Sequence, residues 1–287
     1  MRIGIFARTF QRSTLDQVLE AIAKLGIREV HFNLACAGLE PLPAELTTQQ
    51  CGKIREAFSR HGLTMCGVSG TFNAIHPDKS LRAEWTRRAC MLIERCHELG
   101  ANLVSLCTGT RDANAMWTRH AANQDPAAWQ DLCATLTTLL TTASKHQVFL
   151  GIEPELSNVV NSAAEGRRLL DNFRSSHLKI ILDPANLLHA GNLPQMRMVL
   201  DEAFALLGSD VIMAHAKEFS GESNGPRAPG TGPLDWEYYL GKLDQIGFQG
   251  PLILHNLSEA SVPESISLLE SQLAIHHACI SPREHRF

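Results

Sequence analysis

Four apolar segments in the second half of the chain each run into a side chain that can bind a metal ion. Those side chains are Glu153, Asp183, His215 and His255, and each follows a short run composed mostly of Val, Ile and Leu. A charge at the end of a buried strand must be paired, solvated or bound to a cation. Their spacing of roughly thirty to forty residues is that of a strand–helix repeat. The pattern therefore predicts one shared metal site and a metal-dependent enzyme.

Each of these four residues, taken singly, also has an ordinary structural explanation. Glu153 could pair with a lysine or arginine, Asp183 could open a turn before Pro184, and both histidines could be hydrogen-bonded core residues. Their joint occurrence favours the metal site. Two carboxylates and two imidazoles suit one divalent ion, with Mn, Co, Fe or Zn preferred over Mg, because Mg prefers oxygen ligands.

The elements that must position these residues are short buried strands alternating with amphipathic helices. The sequence predicts strands near residues 2–6, 28–34, 63–69, 102–107, 147–153, 178–183, 210–215 and 251–255. It predicts helices near residues 14–25, 47–61, 80–99, 126–146, 162–175, 194–207, 234–246 and 261–278. Eight near-even repeats predict an α/β fold, a single (β/α)8 TIM barrel forming one domain over residues 1–287, in preference to a doubly wound open sheet.

The composition excludes several other classes of protein. A net charge of −4 gives no basic surface for nucleic acid. The sequence has no run of about 18 apolar residues, so it predicts no membrane-spanning helix. The eight cysteines form no CxxC pair, so we interpret them as free thiols in a reducing cytoplasm. The expected partner is therefore a small molecule, with neither nucleic acid nor a membrane involved.

In such a barrel the carboxyl ends of all strands converge on the active-site face. Polar residues that follow the other predicted strands therefore become candidates for the same site. We predict catalytic roles for Glu153, Lys217 and Glu259, and substrate contacts from Asn73, His76, Glu155, Asn186 and Arg227.

Several motifs along the whole chain resemble those of the xylose isomerase-like barrel superfamily. That superfamily includes sugar and sugar-phosphate isomerases, ketose 3-epimerases, inosose dehydratases and endonuclease IV. The motifs that carry the resemblance are the segments 150–154 (LGIEP), 182–186 (LDPAN), 215–218 (HAKE), 227–235 (RAPGTGPLD) and 247–252 (GFQGPL).

The resemblance implies a ligand set and also shows a departure from it. In the epimerase branch one divalent metal is held by Glu, Asp, His and Glu from strands five to eight. Glu153, Asp183 and His215 match the first three places, whereas His255 stands where the branch has its second glutamate. Asn186 stands where the epimerases commonly have a histidine. A metal-bound imidazole cannot also act as a base, so the change disfavours a symmetric two-base epimerisation.

The expected activity is isomerisation or epimerisation of a small sugar, keto-sugar or cyclitol through an enediolate, with Glu153 as the base. Glu155, Glu218 and Glu259 remain open as the second acid–base group. A dehydratase or lyase acting on a keto-sugar is the near alternative, since it shares the intermediate. An endonuclease IV-like nuclease and a non-catalytic sugar-binding barrel are the more distant ones. The resemblance also implies a homo-oligomer, a dimer or tetramer.

Overall fold

The computed structural model describes residues 1–221 and 225–280, and the side chains within those ranges up to residue 274. Eight parallel strands close into a barrel in sequence order, and β1 pairs with β8 to complete it. The predicted (β/α)8 TIM barrel is confirmed. The strands are β1 (Arg2–Phe6), β2 (Glu29–Phe32), β3 (Thr64–Ser69), β4 (Leu103–Leu106), β5 (Phe149–Ile152), β6 (Leu178–Leu182), β7 (Val211–Ala216) and β8 (Pro251–Leu254).

A long helix follows each strand and covers the outside of the barrel. Thr47 caps α2 with a reciprocal hydrogen-bond pair to Gln50, and Gly100 ends α3 in the left-handed conformation. The helices are α1 (Leu15–Lys24), α2 (Thr48–Arg60), α3 (Lys79–Leu99), α4 (Pro126–His146), α5 (Ala163–Phe173), α6 (Met196–Leu207), α7 (Trp236–Gln245) and α8 (Val262–Ile280). No helix among the described residues is long and apolar enough to cross a membrane.

A small apolar cluster fills the inside of the barrel, separate from the larger core between strands and helices. Its members are Leu103, Ile181, Met213 and Ile253, each almost completely buried. Strands β1, β3 and β5 each contribute a glycine that packs against one of these side chains. A Cβ added to Gly4 would lie 2.6 Å from Ile253, and a Cβ added to Gly151 would lie 2.8 Å from Ile181. A Cβ added to Gly67 would lie 3.2 Å from Met213. The interior of the barrel is therefore filled by packed side chains rather than open as a pore.

A cluster of three charged residues joins two neighbouring helices to the loop after β4. The Asp131 carboxylate in α4 accepts two hydrogen bonds from Arg82 in α3, and Arg111 lies 2.7 Å from its second oxygen. Both arginine side chains are only 13% exposed. This clamp (Arg82, Arg111 and Asp131) supports the rim of the barrel beside strands β3 and β4.

The seven cysteines among the described residues are free thiols, as the sequence predicts, and Cys279 lies outside the described side chains.

Candidate metal centre and its surroundings

The four predicted ligands lie at the carboxyl ends of β5, β6, β7 and β8. Glu153 and Asp183 follow β5 and β6 directly, His215 is inside β7, and His255 follows β8. Backbone bonds extend the strand ladder through two of them: Glu153 N–H donates to Leu106, and His255 N–H to Ala216. Strand pairing therefore fixes where the side chains begin.

Asp183, His215 and His255 bring their ligand atoms within 4.8 Å of one another. His215 Nδ1 lies 3.3 Å from Asp183 Oδ2 and 3.4 Å from Glu153 Oε1. The rings of His215 and His255 stack with centroids 4.8 Å apart. Asp183 Oδ1 accepts a hydrogen bond from the Ala185 N–H, so one carboxylate oxygen shapes the turn while the other faces the cluster. We call these four residues the metal cluster; that they bind a metal stays a prediction.

Lys217 and Asn186 close a hydrogen-bonded ring with the cluster. Lys217 Nζ donates to Asn186 Oδ1 at 2.5 Å, and Asn186 Nδ2 donates to Glu153 Oε1 at 2.6 Å. Lys217 Nζ also lies 3.5 Å from Asp183 Oδ2. The same lysine and asparagine line a cavity of about 350 Å³, together with Glu155. That volume is in the range of small-molecule sites.

The pKa values in the cluster follow from burial and from the two carboxylates. Burial opposes the charge on His215, but Glu153 and Asp183 outweigh it and raise the pKa of His215 to about 9. Burial likewise opposes the charge on Lys217, yet Asp183, Glu153 and Glu155 raise its pKa. Burial lowers the pKa of His255 well below its usual value, and the neighbouring His215 and Lys217 lower it further. The carboxylates therefore attract positive charge, which either protons or a metal cation can supply.

Glu155 lies on the cavity wall. Its Oε1 accepts one hydrogen bond, from the Ser157 N–H, and burial raises the pKa of its carboxyl group.

The structure does not bring Asn73 and His76 into the metal cluster. The Asn73 amide donates to the Thr110 and Asp112 carbonyls and accepts from the Thr110 N–H. The His76 ring bonds the Ala113 carbonyl through Nε2 and the Asp78 N–H through Nδ1. Both side chains hold the segment after β4, and their substrate contacts stay predictions without a contact to the cluster.

Glu218, Glu259 and Arg227 have their side chains engaged outside the metal cluster, although Glu218 also lines the cavity. Glu218 is completely buried and accepts four hydrogen bonds, from the N–H groups of residues 219, 230 and 234 and from Trp236 Nε1. Glu259 forms a salt bridge with Arg12. The Arg227 guanidinium donates to the Thr231 and Phe219 carbonyls. The catalytic role of Glu259 and the substrate contact of Arg227 stay predictions without a contact to the cluster.

Two residues near the cluster were missed by the sequence analysis. His31, inside β2, is buried with its ring centroid 6.2 Å from that of His215, and burial together with His215 lowers its pKa to about 3. Tyr239 in α7 donates its hydroxyl to the His215 carbonyl at 3.1 Å. Neither residue follows a strand end, the position from which the site residues are predicted. A histidine between Val30 and Phe32 was the available signal for the first.

Comparison with known proteins agrees with this architecture. The structure of 3-keto-D-glucoside 4-epimerase from E. coli superposes with a TM-score of 0.73 at 18% identity, covering 94% of this chain and 99% of that one. D-psicose 3-epimerase from Clostridium cellulolyticum H10 gives a TM-score of 0.75 at 16% identity, covering 95% and 99%. An L-ribulose 3-epimerase gives 0.76 at 18%, covering 99% of both chains. At these identities the likeness shows the fold alone.

No curated protein matches the sequence. Residues 15–272 match the family model described as a xylose isomerase-like TIM barrel, which is most of the chain. Together with the closed eight-stranded barrel, this match shows that the chain belongs to the xylose isomerase-like TIM barrel family.

Proposed function

We propose that this protein is a metal-dependent isomerase or epimerase of a small keto-sugar or cyclitol. The observation that carries the proposal is the cluster at the barrel mouth. Three ligand atoms of Asp183, His215 and His255 lie within 4.8 Å, and a fourth predicted ligand, Glu153, lies 3.4 Å from His215 Nδ1. Three structural neighbours are sugar epimerases of the same fold, which agrees with this class of substrate.

The residues present fit a divalent cation. Two carboxylates balance its charge, and Glu153 and Asp183 face His215 Nδ1 at 3.4 and 3.3 Å. The buried Nε2 of His215 and Nδ1 of His255 have no hydrogen-bond partner among the described residues. The combination of imidazole nitrogens and carboxylate oxygens suits Mn, Co, Fe or Zn. When bound, such an ion polarises a carbonyl group and stabilises negative charge on its oxygen.

Glu153 is the proposed base. Asn186 holds Glu153 Oε1 at 2.6 Å, whereas no hydrogen bond from the described residues engages Oε2. Oε2 is therefore available to remove a proton from the carbon beside the carbonyl group. Asn186 fixes the direction of the carboxylate, which is the positioning that proton transfer requires.

Lys217 and Glu155 are the proposed partners of Glu153. Lys217 reaches the cavity beside Asp183, so its ammonium group can bind a substrate oxygen on which negative charge develops. Glu155 lines the same cavity, and its carboxyl group is the one that we propose returns the proton. Of the three residues left open by the sequence, Glu218 has four donors around it and Glu259 pairs with Arg12, which favours Glu155.

Elimination is the second candidate function, and His255 favours it. An imidazole replaces the carboxylate expected in the fourth ligand position, so Glu153 and Asp183 are the two carboxylates of the metal cluster. A single base is sufficient to remove the proton in a dehydration, where the leaving hydroxyl group departs from the next carbon.

The experiment that tests the proposal is hydrogen exchange in D₂O. The protein is loaded with Mn, Co or Zn and incubated with a set of keto-hexoses, keto-glycosides and inososes, and NMR follows the hydrogen beside each carbonyl. We expect exchange that requires metal and falls about 10²–10⁴-fold in Glu153→Gln. Glu237→Gln, a matched change on the exposed face of α7, should exchange at the wild-type rate.

The products separate the two functions. A stereoisomer or an aldose–ketose pair supports isomerisation or epimerisation, and a product lacking one water supports elimination. Exchange that persists in Glu153→Gln, or no exchange with any metal and substrate, contradicts the proposal.

The same proposal includes a single domain over residues 1–287 and a cytoplasmic location, as the sequence predicts. It also includes a homo-oligomeric state, which the family resemblance implies.

A further inference from the structure

Three histidines at the candidate site, two of them members of the metal cluster, each carry a buried nitrogen without a hydrogen-bond partner among the described residues. These atoms are His31 Nδ1, His215 Nε2 and His255 Nδ1, and no described residue reaches them. Leaving a buried donor unsatisfied costs about 1–3 kcal/mol, so three such atoms in one place require an explanation.

The three rings lie side by side around Phe6. His215 and His255 stack at 4.8 Å with an interplanar angle of 5°, and the His31 centroid is 6.2 Å from that of His215. Phe6 lies 5.0 Å from both His31 and His255. The orphaned nitrogens thus belong to one continuous aromatic layer at the inner end of the site.

The other nitrogens of two of these rings are already engaged. His215 Nδ1 faces Glu153 and Asp183, and His31 Nε2 lies 2.8 Å from Ser105 Oγ in β4. Because Ser105 can donate or accept, it permits either neutral tautomer of His31. His31 can therefore present Nδ1 as an acceptor toward the other two histidines.

Ligand histidines normally donate their second N–H to a partner that fixes tautomer and orientation. His215 and His255, when bound to a metal, would each carry an N–H with no acceptor among the described side chains. A buried water ordinarily has about three polar partners, and one molecule has the capacity to accept two N–H groups and to donate to a third nitrogen.

We propose that His31, backed by Ser105, is a positioning residue that holds the two metal-binding histidines in their ligating tautomer through a buried water. This inference rests on the proposed metal site. It assigns a role to a side chain that neither contacts the cavity wall nor belongs to the ligand set. The hydrogen-bond chain runs from His215 and His255 through the water and His31 to Ser105.

The test measures metal affinity and the visible spectrum of the Co(II)-loaded protein. His31→Phe keeps a ring in the space but removes the acceptor, and we expect metal affinity to fall about 10–100-fold with a changed Co(II) absorption. His31→Asn places an amide atom near the position of Nδ1 and should recover most of the affinity. Ser105→Ala should weaken binding to a smaller extent.

A matched control is His177→Phe, since His177 is a partly buried histidine whose Nδ1 bonds the Val148 carbonyl before β5. It should leave metal affinity and the Co(II) spectrum unchanged. Wild-type affinity and spectrum in folded His31→Phe overturn the inference. If His31→Phe does not fold, His31→Ala replaces it as the variant that lacks the acceptor, and metal affinity in His31→Ala equal to that in His31→Asn overturns the inference.

Failure of the proposed function has a different signature. If the wild-type protein takes up no Mn, Co or Zn, both the proposed metal site and the role of His31 are contradicted. If the wild-type protein and His31→Phe bind metal equally tightly, only the role of His31 is contradicted.

Discussion

Two glutamates that follow strands β5 and β7, on either side of β6, have opposite surroundings. Glu153 keeps one carboxylate oxygen free of hydrogen bonds from described residues, whereas Glu218 uses both oxygens to accept four. A Cβ on Gly232 would lie 2.5 Å from the Glu218 carboxylate, so the loop wraps tightly around it. Glu218 therefore holds the loop after β7, which agrees with our proposal that Glu153 is the base.

Replacing Glu218 with Gln tests that assignment. The NH₂ group of the glutamine would face two N–H groups that now donate to the carboxylate, such as those of Gly230 and the Trp236 indole. We therefore expect the free energy of unfolding to fall by about 3 kcal/mol. Urea denaturation measures this loss, with the exposed Glu237→Gln as the control. Wild-type stability combined with lost hydrogen exchange would instead identify Glu218 as a catalytic carboxylate.

Residue types at strand ends were enough to predict which side chains gather at the mouth. Glu153, Asp183, His215, His255, Lys217 and Asn186 all lie within one network. The same reasoning could not tell Asn73 from Asn186, because both follow strands and only the folded loops decide which amide is consumed by backbone groups. His31 escaped it because its position inside β2 breaks no pattern of strand ends.

At the scale of elements, apolar runs and helix caps predicted all eight strands and helices to within a few residues of their observed bounds. Thr47 and Gly100 are caps whose residue types signal helix ends. Short 3-10 turns at the mouth, such as Ala185–Leu187 after β6, were not predicted, because three residues carry no periodicity. That turn is what delivers Asn186 to Glu153.

The glycines inside the barrel make a prediction about packing. Ala at Gly151 would place a Cβ 2.8 Å from Ile181 in the interior cluster, and we expect about 1–3 kcal/mol of destabilisation. Gly52→Ala in α2 meets no atom within 4 Å and should stabilise the protein by about 0.5–1 kcal/mol. Thermal denaturation of the two variants should shift in opposite directions; a shift of the same sign in both would contradict this account of the interior.

The clamp of Arg82, Arg111 and Asp131 predicts a dependence of stability on pH. Burial opposes the charge of Asp131, but Arg111 and Arg82 outweigh it and hold the pKa of this carboxyl below its usual range. Asp131 therefore contributes fully to the free energy of unfolding above about pH 4, the pKa of this carboxyl group in the unfolded chain. The contribution is lost as the pH falls through its lower pKa in the folded protein. Asp131→Asn should cost about 2 kcal/mol at pH 7.

Urea denaturation at several pH values checks this dependence. The stabilities of wild type and Asp131→Asn should converge as the solution is acidified below about pH 4. A difference that stays constant down to pH 2 would show that the effect comes from packing and not from charge.

At the scale of the whole molecule, metal binding should stabilise the fold. The ligands come from β6, β7 and β8, with Glu153 after β5, so a bound ion would join half of the barrel strands. An ion present at a thousand times its Kd adds about 4 kcal/mol, which raises the Tm by roughly 5–10 °C. Calorimetry with and without a chelator measures the shift, and Asp183→Asn should abolish it.

Elemental analysis of the same samples gives the stoichiometry, for which we expect about one ion per chain. Two or three zinc ions per chain would favour the nuclease alternative over the sugar isomerase. An unchanged Tm with all of Mn, Co and Zn would contradict the metal site.

The packed interior of the barrel has a kinetic consequence. Among the described residues, Leu103, Ile181, Met213 and Ile253 fill the bore of the barrel, so a molecule in the cavity has its way in and out at the mouth. Under the proposed function, reactant and product would share that opening and exclude one another from the site. Product inhibition should therefore be competitive with respect to reactant.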